Sequence, residues 1–296
     1  MRVRPNFAKV NMKTYLKYKR DIQGFGNVAT TVKTAQKIAA SYIHFLKQEV
    51  GAARIYLQNI EAALTRLFQF YPNFQSPFLR HNHGQKRLLV VISGDQGLAG
   101  GLFHNLVNYF LTQNKKYDYY LIVGRKAKQY LEEEGIKILD KHFILSALPE
   151  ENEIKIVTNY IFSSFIAGDF GQVDILYPRN INLTTQEPCL KKFLPFNFAN
   201  FNLENKNSAP LGFPVFEPGK KQAFTFLFDR YLEIIFAHYL YEARLAEFVA
   251  RTVAMEHASS KVEEFISQLN LAYFKERRKF LTQKQLESFV PHKILK

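Results

Sequence analysis

Two long stretches of the chain contain apolar residues at alternating spacings of three and four positions. In the second stretch the repeating positions are Tyr241, Leu245, Phe248, Thr252, Met255, Ser259, Val262, Ile266, Leu269 and Tyr273. A period of about 3.5 residues is typical of a helix that supercoils left-handedly with a partner helix. Residues 220–290 contain neither glycine nor proline, so we predict one long coiled-coil helix over this range.

The same spacing occurs near the N-terminus. Of the twelve repeating positions all but Glu49 are apolar: Val32, Ala35, Ala39, Tyr42, Leu46, Glu49, Ala53, Tyr56, Ile60, Ala63, Leu67 and Phe70. Pro72 and Pro77 follow, and proline ends a helix because it lacks an amide hydrogen and clashes with the preceding turn. We therefore predict a second coiled-coil helix over residues 26–71.

Between the two helices the pattern changes to short, continuously apolar runs, which are typical of strands buried on both faces. Four runs are predicted strands: RLLVVIS (87–93), YDYYLIVG (117–124), IKIL (136–139) and VDILYP (173–178). Predicted helices near residues 98–112, 125–134 and 151–166 alternate with them. This order predicts an α/β insert domain over residues 86–218, with a Rossmann-like, largely parallel sheet and an irregular edge hairpin within 179–219.

Two long helices that flank one inserted domain leave it on the same side, so they are predicted to form an antiparallel coiled coil. If the two apolar seams are level at the domain, Phe70 lies near residue 235 and Val32 lies near Tyr273. Beyond Tyr273 the apolar spacing fails. The C-terminal helix is therefore predicted to continue past its partner as a lone basic tip over residues 274–296.

The net charge of +14 is concentrated at the two ends of the chain. Residues 1–20 contain seven Lys or Arg and no acidic residue, and residues 270–296 contain seven Lys or Arg against two glutamates. We predict a basic N-terminal arm over residues 1–25, at the same end of the hairpin as the basic tip. Such a surface suits an acidic protein, an anionic lipid or a nucleic acid.

The glycine-rich stretch Ser93–Phe103 follows the first predicted strand, where nucleotide-binding α/β proteins hold phosphate. It contains Asp95, Gly97, Gly100 and Gly101, but its spacing fits neither GxGxxG nor GxxxxGK[ST], and it lacks the phosphate-binding lysine. We interpret it as a structural turn. The eight histidines show no metal-ligand spacing, and no nucleophile motif is present, so we predict no catalytic residue, metal or cofactor.

The remaining composition indicates a soluble protein of a reducing compartment. No run is long and apolar enough to span a bilayer, and the basic N-terminus is not followed by the apolar core of a signal peptide. The single cysteine, Cys189, excludes an internal disulfide and is interpreted as a packing residue.

Three segments together resemble the gamma subunit, or central stalk, of F-type ATP synthases. TVKTAQKI (31–38) is similar to the family pattern S-[IV]-x-N-T-Q-K-I, and DQGLAGGLF (95–103) to D-R-G-L-C-G-G-L-N. RTVAMEHASS and LNLAYFKERRKFLT, within residues 251–282, resemble R-M-x-A-M-x-x-A-T and L-x-L-x-Y-N-x-x-R-Q-x-x-I-T. The resemblance covers nearly all of residues 27–289.

This resemblance implies a non-catalytic rotor shaft inside a ring of alpha-type and beta-type subunits in a 3:3:1 complex. The catalytic sites would lie on the beta-type subunits, and the chain itself would bind neither nucleotide nor nucleic acid. An epsilon-type subunit and a membrane rotor ring would contact the α/β domain, which would place the complex at the cytoplasmic face of the cell membrane. The positions that would face the ring are Lys37, Arg277, Arg278, Thr282 and Lys284.

Some residues depart from the family pattern. Arg278 replaces a glutamine, Lys284 replaces a glutamate, and a basic arm of about 17 residues precedes the usual start. These departures favour, as an alternative, the rotor of a paralogous ATPase that powers motility or surface transport. Two other classes also stay open: a nucleotide-binding α/β enzyme with a coiled-coil handle, and a protein whose basic end binds nucleic acid or membrane.

Overall fold

The structure is a computed structural model that describes residues 7–80, 84, 86–113, 116–136, 138–197, 216–217 and 219–289. The described elements are α1 (Phe7–Phe70), β1 (Arg87–Ile92), α2 (Leu102–Thr112), β2 (Tyr119–Val123), α3 (Lys126–Glu133), β3 (His142–Phe143), α4 (Glu151–Ala167), β4 (Gln172–Asn180), β5 (Gln186–Leu194) and α5 (Lys220–Phe289). A short 3-10 turn, Pro77–Leu79, follows α1.

The five strands form one sheet in the order β3-β2-β1-β4-β5. All neighbouring strands are parallel except β4 and β5, which form the antiparallel edge hairpin. The predicted fold class, an α/β domain with a largely parallel sheet between two long helices, is confirmed. Helix α4 begins with a capping box, in which the side chains of Glu150 and Glu153 accept hydrogen bonds from each other's backbone amides, and it ends at Gly168 in the left-handed conformation.

The third strand was predicted incorrectly at residues 136–139. The strand lies at His142–Phe143, and Leu139 makes a backbone hydrogen bond to Tyr120 outside any regular ladder. Ile136 and Ile138 pack against the α2 and α3 side of the sheet. Their apolar side chains therefore cover a face of the sheet from a connecting segment, which the sequence pattern does not distinguish from a strand.

Strand β1 lies at the centre of the core, and its side chains alternate between two clusters. Leu88, Val90 and Ile92 pack in a large cluster with α4 and with α5 residues between Phe224 and Ala243. Leu89 and Val91 pack on the other face with α2 and α3. Helix α5 is thus part of the core of the α/β domain.

Contacts within the chain divide it into two units, residues 1–38 with 252–296 and residues 39–251. In the second unit, α1 and α5 pack in antiparallel directions: the rings of Phe68 and Phe224 lie 4.8 Å apart, and those of Tyr42 and Phe248 lie 4.6 Å apart. Between these pairs, the Tyr231 hydroxyl donates a hydrogen bond of 2.7 Å to Glu61.

In the first unit the two helices are again antiparallel. The rings of Phe25 and Phe265 lie 6.1 Å apart, and Lys33 pairs with Glu263 at 2.7 Å. Tyr15 lies 6.1 Å from Tyr273 and 5.3 Å from Phe280 between ring centres.

These contacts correct the predicted register. Val32 was expected near Tyr273, but Tyr15, which is 17 residues earlier on α1, takes that place. The prediction placed Phe70, at the end of α1, opposite residue 235. In the structure, Phe224 and Phe228 in the first turns of α5 pack on Phe74, which follows the end of α1.

The start of α1 and the last paired residue of α5 also differ from the prediction. Helix α1 begins at Phe7 and not near residue 26, and Phe280 has a partner in Tyr15 beyond the predicted end of pairing at Tyr273. The helix thus starts within the predicted arm of residues 1–25, and one contact extends the pairing into the predicted tip of residues 274–296. Residues 1–6 and 290–296 lie outside the described residues.

Candidate functional site

Cationic side chains are concentrated on the end of the first unit where the N-terminal part of α1 meets the C-terminal part of α5. The exposed members are Lys17, Lys19, Arg20, Lys275, Arg277, Arg278, Lys279 and Lys284, which we call the basic end. Two partly buried carboxylates, Asp21 and Glu276, lie on the same segments, and Glu276 pairs with Lys279 at 2.6 Å. The described part of this end is therefore strongly positive.

Large apolar side chains are exposed between these cations. Leu271, Leu286 and Phe289 are each at least 62% exposed, and Phe274 and Leu281 about half exposed. A surface with both charge and exposed apolar side chains suits a protein partner, because charge attracts the partner over a distance and apolar burial contributes at contact.

The structure places the predicted contact residues in two separate positions. Arg277, Arg278, Thr282 and Lys284 are all exposed within two turns of α5. Lys37 is also exposed, but it lies on α1 one turn beyond Lys33, which pairs with Glu263. Since Arg277 is 14 residues after Glu263 on α5, it lies about 20 Å further along the helix pair.

The predicted glycine turn connects β1 to α2. Gly100 has φ of +58° and the neighbouring Leu98 has φ of +67°, and Gly101 stands at the N-cap of α2. The Ser93 amide donates to the Val123 carbonyl at 2.7 Å, and the Ser93 hydroxyl accepts from the Ala127 amide at 3.1 Å. These bonds fix the beginning of the turn against the loop that follows β2.

Asp95 joins this turn to α5 through a buried ion cluster, which we define as Asp95, Arg244, Glu247 and Arg251. Arg244 donates to Asp95 at 3.1 Å and to Glu247 at 2.9 Å, and Arg251 donates to Glu247 at 2.6 Å. Arg251 also donates to the Gly97 carbonyl at 3.3 Å. The three α5 residues are each 5% exposed or less.

Sequence reasoning missed these α5 residues. Arg244, Glu247 and Arg251 are separated by three and four positions, so they share one face of a helix. Charged residues at those spacings within an otherwise apolar segment were a detectable indication of a buried ion network. They were overlooked because the coiled-coil pattern accounted for the helix without them.

Among the residues that the structure describes, no cluster of His, Cys, Asp or Glu side chains is arranged to hold a metal ion. None of the helices, within the described ranges, has a segment long and apolar enough to cross a membrane.

The fold and the basic end define a class of protein in which a long antiparallel helix pair carries an inserted α/β domain. A family model described as ATP synthase matches residues 14–287, and the chain belongs to this family. The predicted membership of the gamma subunit family is thereby confirmed, because the curated relatives are gamma chains.

Two of these relatives illustrate the likeness. The ATP synthase gamma chain of Glaesserella parasuis is 28% identical over 263 residues, which cover 86% of this chain and 90% of the relative. That of Opitutus terrae is 28% identical over 279 residues, covering 91% and 94%.

Solved structures show the same fold. A chain of the Euglena gracilis mitochondrial ATP synthase, from an assembly of OSCP, F1 and c-ring, aligns with a TM-score of 0.66 at 16% identity over 96% of this chain and 95% of that one. A chain of the rotor of the same enzyme aligns with a TM-score of 0.61 at 17% identity, covering 91% and 99%.

Proposed function

We propose that this chain is the central rotor shaft of an F-type ATPase and contains no catalytic site of its own. The helix pair would stand inside a ring of alpha-type and beta-type subunits, and ATP turnover on the beta-type subunits would turn it. The observation that carries this proposal is the exposed basic end on a paired helix shaft in a member of the gamma family. Exposed charges suit a rotor, because each surface contact is weak and the shaft can leave one orientation for the next.

Co-expression with the alpha-type and beta-type subunits of the same organism tests the assembly. We expect a stable complex with 3:3:1 stoichiometry, measured by native mass spectrometry. If the chain purifies alone while the other two subunits form a complete ring, the proposal is wrong.

We further propose that Arg277, Arg278, Thr282 and Lys284 contact the ring, and that Lys37 contacts it separately. Reversing the charges of Arg277, Arg278 and Lys284 to Glu should weaken binding to the ring roughly tenfold to hundredfold at low salt, since each exposed charge contributes about 0–1 kcal/mol. The controls are Arg278→Glu alone at the basic end and Lys128→Glu on α3, which makes one reversal of the same kind on the α/β domain. Equal affinities for the reversed and control variants would contradict the contact assignment.

The alternative is the rotor of a paralogous ATPase that drives motility or surface transport. It is favoured by the start of α1 at Phe7, ahead of the family match at residue 14, and by Arg278 and Lys284. Purifying the native complex through a tag on this chain distinguishes the two. A membrane proton-translocating ring and an epsilon-type subunit in the complex would support the synthase, and their replacement by other proteins would support the paralogue.

Both versions place the chain at the cytoplasmic face of the cell membrane as a peripheral subunit. Release from washed membranes at low ionic strength, with the ring subunits still attached, is the expected behaviour. A chain found only in the unbound soluble fraction of gently lysed cells would contradict this location.

A further inference from the structure

The sheet order of the α/β domain creates a crevice beside the end of β1. The chain passes from β1 to β2 and β3 on one side and then crosses to β4 on the other. In open α/β sheets, ligands bind at this reversal of strand order, outside the carboxyl ends of the strands. Here, Gly94 and the glycine turn lie at that position.

A side chain of α5 occupies this place. Glu247 lies so close to Gly94 that a Cβ atom there would overlap the Glu247 carboxylate. The same carboxylate is held by Arg244 and Arg251. Negative charge and bulk from the protein itself thus fill the position where a phosphate group would bind, which argues against the nucleotide-binding alternative.

The contacts are directional and come from three separate segments. Arg244 reaches Asp95 of the glycine turn and also the Leu145 carbonyl, which precedes α4, at 3.1 Å. Arg251 reaches the Gly97 carbonyl. Asp95 in turn accepts from the Arg125 amide at 3.1 Å, at the start of α3.

Such a cluster adds a directional restraint to the close packing of the apolar side chains of α5. When a helix turns, its buried charges lose partners that water does not replace. The Arg244–Glu247 and Arg251–Glu247 pairs lie within α5 and turn with it. The bonds that a rotation of α5 would break are therefore those from Arg244 to Asp95 and Leu145 and from Arg251 to Gly97.

We propose that the buried ion cluster in this crevice fixes the rotational position of α5 against the α/β domain. This inference rests on the proposed rotor function. Asp95, Arg244, Glu247 and Arg251 are positioning residues: they transmit the turning of the shaft to the domain without touching nucleotide.

The test uses the full chain in its complex with the ring subunits. Spin labels at Leu111 on α2 and Ile55 on α1, both exposed, report the rotational position of the helix pair against the domain in a Cys189→Ser background. A bead on the α/β domain reports torque under viscous load. The variants are Glu247→Gln, which removes the central charge, and Gly94→Ala, which places a methyl group against Glu247.

Matched controls separate this role from general stability. Gly97→Ala adds a methyl group in the same turn. The atoms nearest to that methyl group are at the end of the Lys126 side chain, at an ordinary van der Waals distance. Glu264→Gln removes one partner of the exposed Lys261 pair on the same helix. Thermal midpoints are measured for all variants, and Arg251→Lys replaces Glu247→Gln if the latter does not fold.

We expect the two test variants to broaden or shift the spin-label distance and to lose torque at the domain, while ATP hydrolysis by the ring continues. Both controls should keep the distance and the torque of the unsubstituted chain. A lower midpoint with unchanged distance and torque would show a merely stabilising role and overturn the inference. Failure of the unsubstituted chain to assemble or turn would instead overturn the proposed rotor function.

Discussion

Asp229 on α5 has a pKa that differs between the folded and unfolded chain, so its ionisation affects stability. Its side chain is partly buried, and burial, followed by repulsion from Glu233, raises its pKa to about 6. The folded chain therefore holds a proton on Asp229 that the unfolded chain releases at lower pH. Stability contributed by this group is present below about pH 4 and is lost as the pH rises through about 6.

Asp229→Asn tests this effect. The variant should be more stable than the unsubstituted chain at pH 7, by about 1–3 kcal/mol, because a shift of one pKa unit corresponds to about 1.4 kcal/mol. At pH 4 the two should be nearly equal. Urea unfolding at both pH values measures the difference, and an equal difference at both would contradict the assignment.

Gly124 allows the loop after β2 to lie close against the end of β1. Its φ is +94°, and a Cβ atom there would overlap the backbone carbonyl of Ser93. Gly124→Ala should therefore destabilise the domain by roughly 2 kcal/mol or more, which thermal or urea unfolding measures. Gly97→Ala has ordinary space for the added methyl group, and a loss as large as that of Gly124→Ala would contradict this reasoning.

At the scale of elements, the aromatic residue Tyr15 packs the N-terminal part of α1 against α5. Tyr15 contacts both Tyr273 and Phe280. Tyr15→Ala should remove about 0.5–1.5 kcal/mol of ring contact and increase amide exchange near residues 273–280. Leu271→Ala removes a side chain that is 70% exposed, so it should leave exchange unchanged. Equal exchange in the two variants would show that Tyr15 does not stabilise this pairing.

The elements were predictable where a periodic pattern persists. The two long helices and the strands at β1, β2 and β4 follow from spacing alone, because coiled-coil seams and buried strands impose different periods. The register of the helices was not predictable, since any shift by a heptad keeps apolar residues opposite one another. The aromatic contacts of Phe68 and Phe74 with Phe224 decide the register, and they depend on the three-dimensional path of the chain.

The candidate site also has a part that was predictable from the sequence and a part that was not. The basic end was predictable because charge is read directly from composition, and Arg277, Arg278 and Lys284 came from the family resemblance. The ion cluster was not predicted, because its partners Asp95 and Arg244 are 149 residues apart and meet only in the folded domain. The glycine turn drew attention as a possible phosphate loop, whereas its contacts are with the protein's own helix.

At the scale of the whole molecule, the sequence concentrates positive charge at the chain ends, while the N-terminal part of α5 packs in the core of the α/β domain. Charge at the basic end should make association with the ring sensitive to salt, since ions screen exposed charges beyond about 8–10 Å. The affinity of the chain for the ring should fall as NaCl rises from 50 to 500 mM, measured by surface plasmon resonance. The variant with Arg277, Arg278 and Lys284 reversed should show a smaller salt dependence, and an equal dependence would contradict the charge argument.

The most direct test of the rotor account is observation of rotation. The ring subunits are anchored to a surface, and a bead is attached through a cysteine at Leu111 in the Cys189→Ser chain. On addition of ATP, the account predicts continuous rotation in one direction, with pauses at a few recurring angles, which stops when ATP is exhausted. A complete complex that hydrolyses ATP while the bead shows only undirected thermal motion would contradict it.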